Sequence, residues 1–511
     1  MQSACVRVLA TFACLYRVLG LDRVSGDISI ATDSSAALPQ RASGGGRKAY
    51  FASLTVAQIA AFARSIALAR LLGPEPMGVA AVLVVTAQFF DSVTDTGNDR
   101  FLVQDREGDS SAALRLVHVV SVLKGATIAI LLILLARPIA DFMRVPQAGG
   151  AFMALALVPF ITGFTNFDFR VAQRDHQFGR EAKVVLCSEL AGLIATVIAA
   201  AILRQFTAVL YGLAARSLTA VLVSQIISRT PYRPRYSTTV ARRLWRFGAP
   251  LMINGLLLFA ATQSDRVIIS RALGSVDLGR YSVLILIGVY PSATLMKFVA
   301  TVFLPLITAS LHKPSGRSNV RQLESLTLLL ALGMGVGFAW VVPTLLPLIF
   351  GPAFRSSPIT ITLVGLIVAW RMMKTAPTTV AIASGHTEIV LANNLCRLSG
   401  VGAAIVGLYV IGGLAGVAAG LIIGEMIANT MAMLLLNWKM KWPIFYGLGR
   451  FAIFTLVSSL LVVSAYAYRW PDRIAADSAA LVCLGLLLGT LVKERVALAD
   501  LRQSFRVRTP S

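Results

Sequence analysis

The sequence predicts an all-α integral membrane protein of about fourteen transmembrane helices. Three observations carry that reading: charge is scarce, apolar runs reach spanning length, and basic residues accumulate in alternate loops. Of 511 residues, 56% are hydrophobic and only 14% are charged. A soluble domain carries about 25% charged residues to keep its surface wetted. The solvent of this chain is therefore mostly lipid. A net charge of +23 would point to nucleic acid in a soluble chain, but here Lys and Arg cluster between apolar runs, the footprint of membrane orientation. That distribution excludes nucleic acid as a partner. The five cysteines (Cys5, Cys14, Cys187, Cys396 and Cys483) form no CxxC pair, and the four histidines form no HExxH pattern. No metal site and no cofactor are predicted.

A spanning helix needs about 20 mostly apolar residues. On that window, spans one to six fall at 49–70, 78–99, 115–136, 150–169, 183–203 and 206–228. Spans seven to twelve fall at 247–270, 280–308, 325–350, 358–382, 388–410 and 413–436, and two more at 449–468 and 475–492. Residues 325–354 and 398–424 contain no charge at all, which makes their helices the clearest.

With the amino terminus inside, the inner loops carry Arg100, Arg106 and Arg115, then Arg170, Arg174, Arg180 and Lys183, then six arginines from Arg229 to Arg246. The outer loops carry Arg70, Arg137 with Arg144, Arg204, Arg271 with Arg280, Arg355, and Arg469 with Arg473. The alternation holds from end to end, so both termini are expected in the cytoplasm. No loop is long enough to form a domain, and any chemistry must sit among the helices.

The chain repeats itself. Ala69-Arg-Leu-Leu-Gly-Pro-Glu-Pro-Met-Gly78 follows span one, and Ser270-Arg-Ala-Leu-Gly-Ser-Val-Asp-Leu-Gly279 follows span seven. Both read small-Arg-apolar-Leu-Gly, then a short acidic turn, then apolar-Gly opening the next helix. An even number of spans separates the copies, so they share one orientation. Parallel repeats are a recurring transporter plan with substrate held between the halves. The expected units are a disordered extension at 1–48, lobes at 49–236 and 237–437, two further spans within 438–495, and a basic tail at 496–511.

Ionisable groups at bilayer depth are costly and mark substrate or ion pathways. The buried cations are Arg64, Lys124, Arg216, Arg266, Lys297, Arg371, Lys374 and Arg397; the carboxylates are Asp91, Asp95, Glu189, Asp265 and Glu425. Arg371 and Lys374 stand three apart and share a helix face, as do Asp91 and Asp95 at four apart. Two adjacent cations repel unless an anion or water meets them. Arg64, Arg216, Arg266, Lys297, Arg371 and Lys374 are therefore expected to line a cationic lumen, with Asp91, Asp95, Asp265 and Glu425 coupling an ion. The competing reading of Arg64 is a static lock on Asp91 or Asp95, and Lys124 and Arg397 lie near enough to span ends to snorkel. Pro159, Pro250, Pro291, Pro305, Pro343, Pro347 and Pro377 fall in or beside spans and are expected to kink them.

Arg64-Ser-Ile-Ala-Leu-Ala-Arg-Leu-Leu-Gly-Pro-Glu-Pro-Met-Gly78 resembles the opening of polysaccharide transporters, the Wzx-type oligosaccharide flippases. Phe247-Gly-Ala-Pro250, Ser264-Asp-Arg-Val-Ile-Ile-Ser-Arg-Ala-Leu-Gly274, Leu278-Gly-Arg-Tyr-Ser282 and Pro347-Leu-Ile-Phe-Gly351 resemble the same family. The resemblance covers about residues 47–440; Arg64 and Asp265-Arg266 fall on its pattern, while the other cations rest on depth alone. It implies a V-shaped pair of six-helix lobes plus two further helices around a cationic lumen, in the bacterial inner membrane. The implied cargo is an undecaprenyl-pyrophosphate-linked oligosaccharide, carried to the periplasm by alternating access for O-antigen, capsule or exopolysaccharide. A proton or sodium gradient is the implied coupling, and a polysaccharide polymerase with chain-length machinery the implied partners. Pro74-Glu75-Pro76 departs from the family in its second proline and in lacking a Tyr before the Gly. Two rivals stay open. A small-molecule antiporter of the same superfamily predicts a lumen rich in carboxylates, and a membrane-bound polymerase or transferase predicts a sizeable outer loop holding catalytic groups.

Overall fold

At bilayer depth no water is available to the backbone, so its N–H and C=O groups must be satisfied within helices. The computed structural model describes residues 44–175, 177–311, 314–440 and 445–467, with Val482, Gly485, Leu486, Gly489 and Thr490. No strand forms among them. The first half of the chain contributes α1 (Gly44–Leu72), α2 (Pro74–Val93), α3 (Asn98–Gln104), α4 (Ser111–Phe142), α5 (Gly149–Leu155), α6 (Leu157–Thr162), α7 (Asp168–Arg174), α8 (Gly179–Leu203) and α9 (Ala208–Ile227). The second opens with α10 (Thr238–Leu273), α11 (Ser275–Ser310) and α12 (Pro314–Val336), which passes through a π turn at Gly337–Val341 into α13 (Val342–Phe350). It continues with α14 (Pro358–Met373), α15 (Thr375–Ala383), α16 (Thr387–Arg397), α17 (Ser399–Val410), α18 (Gly413–Met440) and α19 (Phe445–Ala467).

Twelve of the described helical stretches are long and apolar enough to cross a membrane. The fourth span is shorter than expected: in place of 150–169 the apolar helical stretch is Pro146–Thr162, regular except at Ala156 between α5 and α6, which keeps helical dihedrals. Pro159 has no N–H to offer the Leu155 carbonyl there. α6 packs tightly on α4, since a Cβ on Gly125 would stand 2.4 Å from the Pro159 carbonyl oxygen. The amino-terminal extension up to residue 43, the tail from 496 and most of the last expected span, 475–492, lie outside the described residues. Within 44–48, expected to be disordered, α1 has already begun.

The two copies of the internal repeat adopt one geometry. Gly73 (φ 83°, ψ −178°) and Gly274 (φ 89°, ψ −178°) both take a backbone conformation that L side chains resist, and each opens the following helix. The copies then cross each other. A Cβ on Gly78 would lie 1.8 Å from the Ser275 carbonyl oxygen, and one on Gly279 would lie 1.9 Å from that of Pro74. Met77, Val82 and Leu83 of α2 and their counterparts Leu278, Val283 and Leu284 of α11 are all buried in one apolar core beneath this crossing.

Small residues also let α17 and α18 meet backbone to backbone, as membrane helices do where no water drives their association. A Cβ on Gly416 would fall 2.1 Å from the Gly407 carbonyl oxygen, whereas one on Gly402 would meet nothing within 4 Å. Overpacking of this kind costs about 1–3 kcal/mol. Gly416→Leu should therefore lower the thermal unfolding midpoint in detergent, and Gly402→Leu on the facing helix α17 should leave it in place. Equal midpoints for the two variants would contradict the packing.

Candidate functional site

Two charge clusters lie among the spans. In the first, Glu189 of α8 binds Arg64 of α1 at 3.3 Å through one oxygen and Arg216 of α9 at 2.7 Å through the other. One turn along α8, Gly192 makes the room: a Cβ there would stand 3.0 Å from Arg64 Nη1 and 3.1 Å from the Arg216 Cβ. Arg216 keeps 48% of its side chain exposed. Tyr290 of α11 faces this triad from the second half of the chain, within electrostatic range of Arg64, Glu189 and Arg216, its ring 5.4 Å from that of Phe62. The static lock expected between Arg64 and Asp91 or Asp95 is not formed; Glu189 takes that role, pairing with Arg64 and with Arg216.

Asp91 instead meets Lys124 of α4 at 3.7 Å while 69% of its side chain stays exposed, so Lys124 pairs rather than snorkels. Asp95 does not share a helix face with Asp91. α2 ends at Val93, and Asp95 sits in the following turn, where it accepts from the Gly97 N–H at 3.0 Å. That glycine has φ 66° and closes the turn. Both carboxylates nevertheless line one cavity of about 340 Å³, with Asp99, Asn98, Ser121 and Lys124.

The second cluster surrounds Glu425 of α18, whose side chain is only 2% exposed. One of its oxygens accepts from Arg371 Nε at 2.9 Å and from Arg397 Nε at 2.6 Å. Arg397 is thus buried in an ion pair and does not snorkel to a span end. Each guanidinium is held by Nε alone, and among the described residues no side chain or carbonyl takes its outer fork. Lys374 sits at the junction of α14 and α15, where Pro377 withholds the N–H that the Met373 carbonyl would accept. It lies in the field of Arg371, Arg397 and Glu425 yet makes no ion pair with a described carboxylate. Asp265 of α10 is buried and accepts from the Tyr281 hydroxyl at 2.6 Å. Its neighbour Arg266 reaches only Gln263. Lys297, on an exposed face of α11, has no described carboxylate partner either.

Sequence reasoning read Tyr281 as a motif residue without its bond to Asp265, took Tyr290 for an ordinary span residue, and passed over Asn393 and Asn429. Both asparagines are fully buried. Asn429 donates to the Trp370 and Glu425 carbonyls at 3.2 and 3.0 Å, and Asn393 donates to the Ala428 carbonyl at 2.9 Å. An amide in an otherwise apolar span was the available signal.

A dozen apolar helices with basic clusters sunk between them make this a multi-pass membrane protein. The chain belongs to the polysaccharide biosynthesis protein family, whose model matches residues 67–358. It is 26% identical over 348 residues to the succinoglycan biosynthesis transport protein ExoT of Rhizobium meliloti, covering 63% of this chain and 70% of that one. It is 22% identical over 351 residues to a membrane protein of Klebsiella pneumoniae described as uncharacterised and in the cps region, covering 68% and 72%. Among solved structures, the lipid II flippase MurJ in an inward closed conformation superposes with a TM-score of 0.64 at 13% identity, covering 88% of this chain and 99% of that one. At that identity the likeness is one of fold.

Removing one partner from a buried ion pair leaves an uncompensated charge and costs about 3–5 kcal/mol. Glu425→Gln strands two guanidiniums and should depress the unfolding midpoint well below that of Glu189→Gln, because Arg216 can turn to solvent. The reverse order of midpoints would show that Glu425 does not hold α14, α16 and α18 together.

Proposed function

We propose that the chain is a flippase that carries an undecaprenyl-pyrophosphate-linked oligosaccharide from the cytoplasmic to the periplasmic leaflet of a bacterial inner membrane, by alternating access. The single observation behind this reading is the surplus of unclaimed positive donors in the second half. Lys374, Arg266 and Lys297 have no described carboxylate partner, and Arg371 and Arg397 present forks that Glu425 does not fill. Guanidinium forks match phosphate oxygens in pairs, and a pyrophosphate brings enough negative charge to satisfy several cations at once. The family and the transport relatives support a polysaccharide cargo, and the MurJ-like fold supports a lipid carrier.

In this reading Arg64 and Arg216 add a second positive station facing Tyr290. Asp91 and Asp95 are the carboxylates available to a coupling proton or sodium ion. Asp265 and Glu425, expected to serve with them, are committed to Tyr281 and to two arginines and act as positioning groups. Both termini are cytoplasmic, and a polymerase with chain-length machinery consumes the product. One feature favours the other reading, a small-molecule antiporter: the first-half cavity holds three carboxylates, Asp91, Asp95 and Asp99, and would attract a cation.

A hydrogen bond to a charged group contributes about 1.5–3 kcal/mol, and each 1.4 kcal/mol is about tenfold in affinity. Lys374→Gln and Arg266→Gln break no ion pair, so they should fold normally yet bind undecaprenyl pyrophosphate about tenfold more weakly by native mass spectrometry in detergent. Unchanged affinity in both would remove the basis of the proposal. Tight binding of cationic dyes, lost in Asp91→Asn and Asp95→Asn, would favour the antiporter.

A further inference from the structure

The crossing of the two repeat copies is flanked by a feature that neither the cargo nor the buried clusters explain. Arg70, at the end of α1, donates Nε to the Ile349 carbonyl at 2.6 Å and Nη2 to the Leu348 carbonyl. Those carbonyls belong to the last turn of α13, in the other half of the chain. Arg271, its repeat counterpart at the end of α10, donates to the Phe142 carbonyl at 2.8 Å and lies 4.7 Å over the Phe142 ring. Phe142 is the last residue of α4, in the first half. Span one thus caps span nine while span seven caps span three. The two arginines exchange equivalent partners across the molecule. Beside Arg271, the Ser270 hydroxyl donates to the Met143 carbonyl at 2.8 Å.

A helix C-terminus leaves its last carbonyls unsatisfied and carries partial negative charge, so a cation is the natural cap. Caps normally come from the helix itself or the loop that follows it. Here each comes from the opposite half, so separating the halves at this end uncaps both helices at once. The same movement would pull Gly78 off Ser275 and Gly279 off Pro74, and expose the apolar core of Met77, Leu83, Leu278 and Leu284 beneath them.

We infer that Arg70 and Arg271 form a reciprocal clasp that holds the periplasmic end of the transporter shut, and that both must release before cargo leaves on that side. The side follows from the loop charges, which put both repeat turns outside; the role as a gate rests on the alternating-access reading proposed above. The contact geometry does not depend on that reading. Two like-built latches make opening concerted: breaking one leaves the other and the glycine crossing in place, so an intermediate with half the seal open is disfavoured. Arg70 spans two carbonyls with its rigid planar fork, a geometry that a lysine's flexible ammonium does not pre-organise.

The test reads closure directly, without cargo. In a background with all five native cysteines changed to serine, Leu278→Cys reports the core beneath the clasp, and Ala369→Cys, fully buried on α14 in a separate core, reports general unfolding. Full-length protein in nanodiscs is exposed to a maleimide. Arg70→Ala with Arg271→Ala should speed labelling at position 278 by about tenfold and leave position 369 protected, with Arg70→Lys and Arg271→Lys in between. Unchanged labelling at 278 in a folded double variant overturns the clasp. Equal acceleration at both positions also overturns it, as loss of a purely structural contact. Labelling as expected together with no binding of the lipid pyrophosphate would instead sink the flippase reading and leave the clasp standing.

Discussion

An arginine or lysine at the middle of a membrane costs several kcal/mol unless it meets a carboxylate, a carbonyl or water. This chain sinks eight such cations among its spans against five carboxylates. The shortage is managed by sharing. Glu189 serves Arg64 and Arg216, and Glu425 serves Arg371 and Arg397, so in each cluster one carboxylate gathers cations from two helices besides its own. These shared pairs also do the work of packing: α1, α8 and α9 are pinned at Glu189, and α14, α16 and α18 at Glu425. Whatever passes through the molecule must do so around helices whose positions are set by charge that is only partly cancelled.

The scaffold is symmetric where it closes and asymmetric where it is charged. Over the stretch that carries the repeat, the backbone of the two copies coincides in Gly73 and Gly274, in the crossing glycines, and in the buried apolar pairs beneath them. Just outside it the chemistry diverges. Arg64 corresponds in position to Asp265, Asp91 to Ser292 and Asp95 to Met296. One half therefore lines a cavity with carboxylates, and the other gathers unfilled guanidinium forks. Two halves built alike but presenting different charges offer two different chemical surfaces, which identical halves could not.

Composition and apolar length revealed the class of fold, because the requirement to satisfy backbone groups in lipid leaves few alternatives to helices. The repeat was equally legible, since a glycine held at positive φ tolerates little substitution and leaves a recognisable string. The bounds of span four were not legible: hydropathy over 150–169 does not show that the apolar helix runs from Pro146 to Thr162. The site was readable as a set of cations and unreadable as a set of pairs. Arg397 looked close enough to a span end to reach the surface, and Glu425 stood with no cation nearby in sequence; their bond joins α16 to α18, a relation that only tertiary packing supplies. Asp91 and Asp95 failed for a local reason, the early end of α2 at Val93. Tyr281 was legible as part of the Leu278–Ser282 motif but its bond to Asp265 was not, and Tyr290 carried no signal because an aromatic in an apolar span says nothing until its neighbours are known.

Sharing a carboxylate has a consequence that simple pairing lacks. A one-to-one buried pair is neutral and complete, and an arriving anion would have to compete for its cation. Around Glu425, two guanidiniums and Lys374 repel one another, and the arginines use only Nε for the carboxylate they share. Their remaining donors are already oriented, because Nε fixes the plane of each fork. On the proposed reading, an anion entering there would remove repulsion and fill donors without displacing Glu425. A cluster neutralised pair by pair would pack more securely and bind nothing. On that proposed reading the retained surplus of positive charge is stability given up for recognition.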